Sequence, residues 1–92
     1  MTIDEQYRKL EDTIRDYNPG ADFAHIRSAY EFAKQQHGEQ RRKSGEPYIT
    51  HPLAVAQIVA EELHLDSESI EAALLHDVVE DTPATYEDVA KL

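Results

Sequence analysis

Residues Leu74-Leu75-His76-Asp77-Val78-Val79-Glu80-Asp81 form an apolar run into which one imidazole and three carboxylates are set. On a helix, His76 and Glu80 share one stripe, and Asp77 and Asp81 share the adjacent stripe. Burying several carboxylates without a counter-charge is strongly unfavourable. Two alternatives follow for this part of the chain: either a cation lies on the acidic face, or the face is exposed to solvent.

The length and charge of the chain limit what kind of protein it can be. Ninety-two residues suit one small domain over residues 1–92. The net charge of −10 argues against a nucleic-acid partner, because such proteins need clustered positive charge. The absence of cysteine excludes disulfides and thiolate zinc sites and indicates a reducing compartment. With neither a signal-like leader nor a membrane-length apolar run, we expect a cytoplasmic protein without membrane contact.

Two amphipathic helices are predicted at about 3–17 and 22–37, because apolar residues recur there every three or four positions. The two apolar stripes consist of Ile3, Tyr7, Leu10, Ile14 and Tyr17, and of Phe23, Ile26, Tyr30, Ala33 and His37. Both stripes are interpreted as core rather than as a cofactor site. Proline and glycine at Asn18-Pro19-Gly20 end the first helix, and Asp22 is expected to cap the second.

The second half of the chain predicts a loop followed by further helices. Residues 38–50 are polar, lack periodicity and contain two glycines and a proline, which indicates a loop. Helices are predicted at about 52–64, with Pro52 in the first turn, at about 67–81 and at about 85–92. No strand pattern occurs, so the expected class is all-α, with about five helices.

A metal site is one interpretation of the acidic helix. His51 lies at a predicted helix start, and His76-Asp77 follow 25 and 26 residues later. Two imidazoles and a carboxylate suit a first-row divalent ion, and Glu80 and Asp81, one turn further on, are suited to orient or deprotonate a water. In the other interpretation, His76 is a core histidine and the carboxylates form a solvated helix end.

The loop carries the strongest local positive charge of the chain. A guanidinium is planar and donates in a fork, so the Arg41-Arg42-Lys43-Ser44-Gly45 segment is suited to bind phosphate or to stack on a purine. The alternative is that these are ordinary solvated loop charges. The remaining histidines (His25, His37 and His64) have no acidic partner at ligand spacing and are interpreted as structural or surface residues.

Two motif blocks resemble the hydrolase half of the RelA/SpoT family of alarmone synthetase/hydrolases. The first block is Arg42-Lys43-Ser44-Gly45-Glu46-Pro47-Tyr48-Ile49-Thr50-His51-Pro52, and the second is Ala72-Ala73-Leu74-Leu75-His76-Asp77-Val78-Val79-Glu80-Asp81-Thr82. The resemblance implies a helical HD-type phosphohydrolase domain. It also implies Mn²⁺-dependent removal of the 3′-pyrophosphate from ppGpp or pppGpp, which yields GDP or GTP and pyrophosphate.

The same resemblance assigns roles to individual residues. By position, the residues that match the metal ligands of the family are His51, His76 and Asp77. The residues that match the carboxylates beside the attacking water are Glu80 and Asp81. The residues that match the nucleotide-contacting loop are Arg42, which stacks on the base, Lys43 and Ser44.

One departure from the family pattern affects what we expect of this chain. The metal site of the family is completed by an Asp on a later helix, which would lie beyond residue 92. We therefore expect a partial HD-type domain that binds Mn²⁺ weakly, hydrolyses alarmone poorly or not at all, and could form a homodimer through its unfinished core. The alternatives are an HD phosphohydrolase for another nucleotide and a non-catalytic helical interaction or regulatory module.

Overall fold

The computed structural model describes residues 2–76 and residue 78, and this part of the chain folds into four α-helices. The helices are α1 (Ile3–Tyr17), α2 (Phe23–His37), α3 (Thr50–Leu63) and α4 (Ser67–Leu75). The described residues contain no strand beyond one isolated bridge between Arg41 and Pro47, so the predicted all-α class is confirmed there. The predicted helix at 85–92 and the end of the predicted helix at 67–81 lie outside the described residues.

Side chains at the helix starts satisfy backbone N–H groups that have no partner within the helix. At α1, Thr2 and Glu5 form a reciprocal capping box, in which each side chain accepts from the backbone N–H of the other at 3.1 Å. Asp22 caps α2 and Asp66 caps α4, each by accepting from the N–H three residues further on. Short polar side chains thus fix three of the four helix starts.

Helix α3 begins at Thr50, two residues before the predicted start at Pro52. The backbone N–H groups of Thr50 and His51 donate to the carbonyls of Pro47 and Tyr48, at 3.1 and 3.0 Å, so the chain is already wound ahead of the proline. Pro52 fits at the third helical position because the first four N–H groups of a helix lack intrahelical acceptors. The tight turn before the helix therefore moves its start, and His51 lies in its first turn.

The core is built from the apolar stripes of all four helices. Helix α4 packs against both α2 and α3, and α1 packs against α3. The buried apolar residues are Tyr7, Leu10, Ile14, Ile26, Ala29, Tyr30, Ala33, Ile49, Leu53, Ala56, Ala60, Ile70, Leu74 and Val78. The predicted stripes of α1 and α2 supply six of these fourteen residues. None of the helices in the described part of the chain has the length and apolarity that a membrane crossing demands.

The connection between α3 and α4 determines which helix ends are neighbours. Helix α3 ends at Leu63 rather than at the predicted residue 64, because His64 turns into the left-handed region with φ 49°. Only residues 64–66 separate α3 from α4. So short a connection between two packed helices is typical of antiparallel neighbours. In that arrangement the start of α3, with His51, and the end of α4, with His76, lie toward the same end of the pair.

Candidate functional site

His51 lies in the first turn of α3 and is partly buried. Its backbone N–H donates to the carbonyl of Tyr48 at 3.0 Å. The ring of Tyr48 contacts the imidazole edge-on, with centroids 6.0 Å apart and planes inclined by 71°. The loop before α3 therefore provides both a backbone contact and a ring contact to the predicted metal ligand.

His76 follows directly after the last residue of α4 and is exposed. Leu74 and Val78, on either side of it, are fully buried. Leu74 and Val78 are four positions apart, which is the spacing of one helical stripe, and His76 lies off that stripe. His76 is therefore accessible to an ion or a ligand from solvent.

The three predicted acidic residues of the site, Asp77, Glu80 and Asp81, lie outside the described residues. Their roles as metal ligand and as water-activating carboxylates stay predictions. Within the described part of the chain, no group of three or more histidine, aspartate or glutamate side chains could hold a metal ion. The two predicted imidazole ligands, His51 and His76, belong to that part, and their donor chemistry fits a first-row divalent ion once a carboxylate joins them.

The predicted nucleotide loop is a tight turn that presents its polar side chains to solvent. The N–H of Arg42 donates to the carbonyl of Glu46, and the N–H of Gly45 donates to the carbonyl of Arg42, both at 2.8 Å. Gly45 has φ 91°, a conformation that side-chain-bearing residues rarely adopt. The side chains of Arg42, Lys43 and Ser44 are exposed on this turn, so all three are available to a ligand.

An open groove of about 670 Å³ separates this turn from the start of α1. Its lining includes Arg42 and Glu46 of the turn, Gln6 of α1 and Thr50 of α3. The side-chain amide of Gln6 donates to the carbonyl of Thr50 at 3.2 Å, which joins α1 to the first turn of α3. The volume falls within the usual range of small-molecule sites.

His37, which was interpreted from the sequence only as a structural or surface residue, contacts the loop before α3. It is the last residue of α2 and only 2% exposed, as its position on the apolar stripe predicts. Its ring packs on Tyr48 with centroids 4.6 Å apart and planes inclined by 31°, and its Nδ1 is 2.9 Å from Oε1 of Gln40. The apolar spacing of the predicted helix indicated that His37 is buried, but it did not indicate the contact of His37 with the loop.

A second polar contact, buried only on its Glu71 side, joins α2 to α4. The Nδ1 of His25 contacts Oε1 of Glu71, a residue that is only 7% exposed. Burial raises the pKa of Glu71 above its usual value of 4.5, whereas the His25 ring acts in the opposite direction. His25 was interpreted as a structural or surface residue because no acidic partner lies at ligand spacing in the sequence. Its acidic partner in the fold is Glu71, which lies far away along the chain.

Comparison with known proteins gives the site a family context. Residues 29–92 match the HD domain family. The bifunctional (p)ppGpp synthase/hydrolase SpoT of Escherichia coli (strain K12) is 52% identical over 86 residues, which cover 94% of this chain and 12% of that protein. The guanosine-3′,5′-bis(diphosphate) 3′-pyrophosphohydrolase of Aquifex aeolicus is 64% identical over 64 residues, which cover 70% of this chain and 9% of that protein.

A further relative, the GTP pyrophosphokinase rsh of Brucella ovis, is 45% identical over 87 residues, which cover 95% of this chain and 11% of that protein. The chain thus spans about 9–12% of the length of these curated relatives. The similarity therefore concerns one segment of much longer proteins.

Proposed function

The chain belongs to the HD domain family, within its RelA/SpoT group, and from this membership we propose that it forms the N-terminal part of a metal-dependent (p)ppGpp 3′-pyrophosphohydrolase site. The products are GDP or GTP and pyrophosphate. The observation that carries this proposal is the HD domain match over residues 29–92, which contains both motif blocks. Relatives named as 3′-pyrophosphohydrolases over this segment support the choice of substrate.

His51, His76 and Asp77 are the residues that would hold the divalent ion, which we take to be Mn²⁺. Two imidazoles and a carboxylate form a donor set that suits a first-row ion. When bound, such an ion polarises the phosphoryl group and neutralises part of its charge. The position of His51 in the first turn of α3, with Tyr48 against its ring, supports its role as an oriented ligand.

Glu80 and Asp81 supply the proton chemistry in this proposal. Their carboxylates orient the attacking water and take its proton as the new bond to phosphorus forms. The bond between that phosphorus and the 3′ oxygen of the ribose breaks, and the 3′ oxygen gains a proton. Both carboxylates follow His76 by about one helical turn, a spacing that favours a common role.

The loop residues Arg42, Lys43 and Ser44 bind the nucleotide, with the guanidinium of Arg42 stacked on the guanine. Their exposure on a tight turn supports this role. A chain with net charge −10 repels a polyanionic substrate unless cations are concentrated where it binds. This turn carries such a concentration.

A cytoplasmic location and a homodimer of the chain also belong to this proposal. The cysteine-free composition supports a reducing compartment. Sedimentation equilibrium of the purified chain tests the homodimer: we expect the mass of two chains at micromolar concentration. A single-chain mass at every concentration would contradict it.

A chimera tests the proposed activity without requiring the 92-residue chain to be active alone. In the chimera, this chain replaces the matching segment of the Escherichia coli relative, which supplies the rest of the enzyme. We expect the chimera to release pyrophosphate from ppGpp and the Asp77→Ala variant to lose this activity. Glu80→Gln should retain Mn²⁺ binding and lose about 10²-fold or more in turnover, because only proton transfer is removed. Normal turnover in Glu80→Gln would exclude that residue from the mechanism.

Calorimetry with Mn²⁺ separates this proposal from a non-catalytic helical module. We expect the His76→Ala variant to bind the ion more weakly than the unaltered chain. The matched control is His64→Asn, which removes an exposed imidazole elsewhere, and Asn tolerates the left-handed φ of 49° at that position. Equal binding by all three proteins would favour the non-catalytic module. Cleavage of another nucleotide, with ppGpp left intact, would favour the alternative phosphohydrolase.

A further inference from the structure

Three aromatic rings form a row that ends at the predicted metal ligand His51. His37 stands at the buried end of the row and is 2% exposed. Tyr48 lies between, 4.6 Å from the His37 ring and 6.0 Å from the His51 ring. The row therefore joins the last residue of α2, the loop and the first turn of α3. Movement of the His51 ring toward this side is blocked by Tyr48, which is itself backed by a buried ring.

Hydrogen bonds close the base of the loop along the same row. Nδ1 of His37 is 2.9 Å from Oε1 of Gln40, and the N–H of Gln40 donates to the carbonyl of His37, also at 2.9 Å. The carbonyl of Gln40 accepts from the N–H of Tyr48 at 2.9 Å. Gln40 and Tyr48 bracket the turn that carries Arg42–Ser44. The same contacts therefore hold the nucleotide loop and the neighbour of His51.

The tautomer of His37 follows from its partner. An amide oxygen can only accept, so the contact with Gln40 requires a proton on Nδ1 of His37, which in the neutral ring leaves the lone pair on Nε2. Nε2 is buried and has no hydrogen-bond partner in the described part of the chain. A buried acceptor without a donor is destabilising. An apolar ring would avoid this cost, but it would lose the contact with Gln40.

Resting on the proposed function, we propose that His37 is a positioning residue that couples the metal ligand to the nucleotide loop. Through Tyr48 it fixes the orientation of the His51 imidazole. Through Gln40 it fixes the base of the turn that carries Arg42. Outer-shell residues that hydrogen-bond to metal ligands typically change metal affinity by 10- to 100-fold when they are replaced, and we expect a ring contact to act at the lower end of that range.

Three variants test separately the contact of His37 with His51 through Tyr48 and its contact with the loop through Gln40. Tyr48→Leu removes the ring between His37 and His51, and we expect the Mn²⁺ dissociation constant to rise about tenfold. Tyr48→Phe keeps the ring and should restore the affinity to within about twofold. His37→Phe keeps a ring against Tyr48 but loses the bond to Gln40. We expect the melting temperature of His37→Phe to be no lower than that of the unaltered chain and its Mn²⁺ dissociation constant to stay within about threefold. We expect the backbone amides of Arg42 and Tyr48 to exchange faster than in the unaltered chain.

The sharpest test of the proposal compares the melting temperature of His37→Phe with the amide exchange rates in its loop. A purely structural His37 predicts a lower melting temperature for His37→Phe with unchanged amide exchange in the loop, and that outcome would overturn the proposal. Equal Mn²⁺ affinity of Tyr48→Leu and the unaltered chain would overturn it as well. If no variant binds Mn²⁺ and the unaltered chain does not either, the proposed function fails, and the exchange rates still decide whether His37 holds the loop.

A measurement on the unaltered chain keeps the proposal testable even if a variant does not fold. Long-range ¹⁵N–¹H spectra of the histidine side chains report which ring nitrogen carries the proton. We expect the proton of neutral His37 on Nδ1, opposite to the tautomer that free histidine prefers. A proton on Nε2 would exclude donation to Gln40 and overturn the proposal.

Discussion

Leu53→Ala tests whether the first turn of α3 is held by burial in the core. Leu53 is fully buried and lies two residues after His51. The substitution removes three buried carbon groups, and each contributes about 0.8 kcal/mol through its transfer from water to the apolar interior. Including the cavity left behind, the expected loss is about 2.5–5 kcal/mol in the free energy of unfolding. A 92-residue domain has a total stability of about 5–14 kcal/mol, so the loss is a large fraction of it.

Urea unfolding followed by circular dichroism measures this loss, with Ile58→Ala as the matched control on the same helix. Ile58 is 60% exposed, so its replacement should change the free energy of unfolding by no more than about 0.5 kcal/mol. The denaturant slope should remain the same in both variants if each still unfolds in two states. Equal losses in the two variants would refute the assignment of Leu53 to the core and of this face of α3 to the interior.

Two further predictions concern Glu71 and the turn at Gly45. Burial raises the pKa of Glu71 above 4.5, so this carboxyl contributes stability below pH 4.5 that is lost as the pH rises through the folded-state pKa. Glu71→Gln should therefore raise the melting temperature more at pH 7 than at pH 4, and the same shift at both pH values would contradict the buried setting of the carboxyl. Gly45→Ala should cost about 1–3 kcal/mol in urea unfolding, because φ is 91° there. Gly20 has no positive φ, so Gly20→Ala should be neutral or stabilising, and similar losses at both glycines would contradict the strained turn.

The first two helices could be predicted from the sequence because their signal is local. Apolar residues three and four positions apart make one stripe, and a stripe of that width needs a core to cover it. Leu10 and Ile14 in α1 and Ile26 in α2 are accordingly fully buried. The cap at Asp22 was equally visible, because a short acidic side chain directly before an apolar stripe is typical of a helix start.

The start of α3 was predicted at about residue 52, with His51 at the helix opening, and the helix begins two residues earlier because a tight turn precedes it. The sequence pattern identifies Pro52 as a first-turn residue, but proline is tolerated throughout the first turn and does not mark its beginning. The hydroxyl of Thr50 donates to the carbonyl of Pro47 at 2.7 Å, which stabilises the turn upstream. Hydrogen bonds of this kind depend on the folded loop and cannot be read from residue spacing.

Contacts between distant residues limited the prediction of the site. The pairing of His25 with Glu71 joins two helices, and each residue alone resembles an ordinary surface charge. Similarly, His37 was expected to be buried, but its contact with Tyr48 requires the loop to fold back on the end of α2. Residue type and motif spacing identified His51, His76 and the loop as candidates, whereas their surroundings follow only from the fold.

The most direct test of a divalent ion between α3 and α4 is the broadening of histidine signals by Mn²⁺. A paramagnetic ion broadens the nuclear magnetic resonances of side chains close to it, so the chain reports its own site. We predict that substoichiometric Mn²⁺ removes the imidazole signals of His51 and His76 first and leaves those of His25 and His64 intact. If His51 and His76 stay sharp, or broaden no sooner than His25 and His64 as Mn²⁺ is added, the metal site proposed here does not exist.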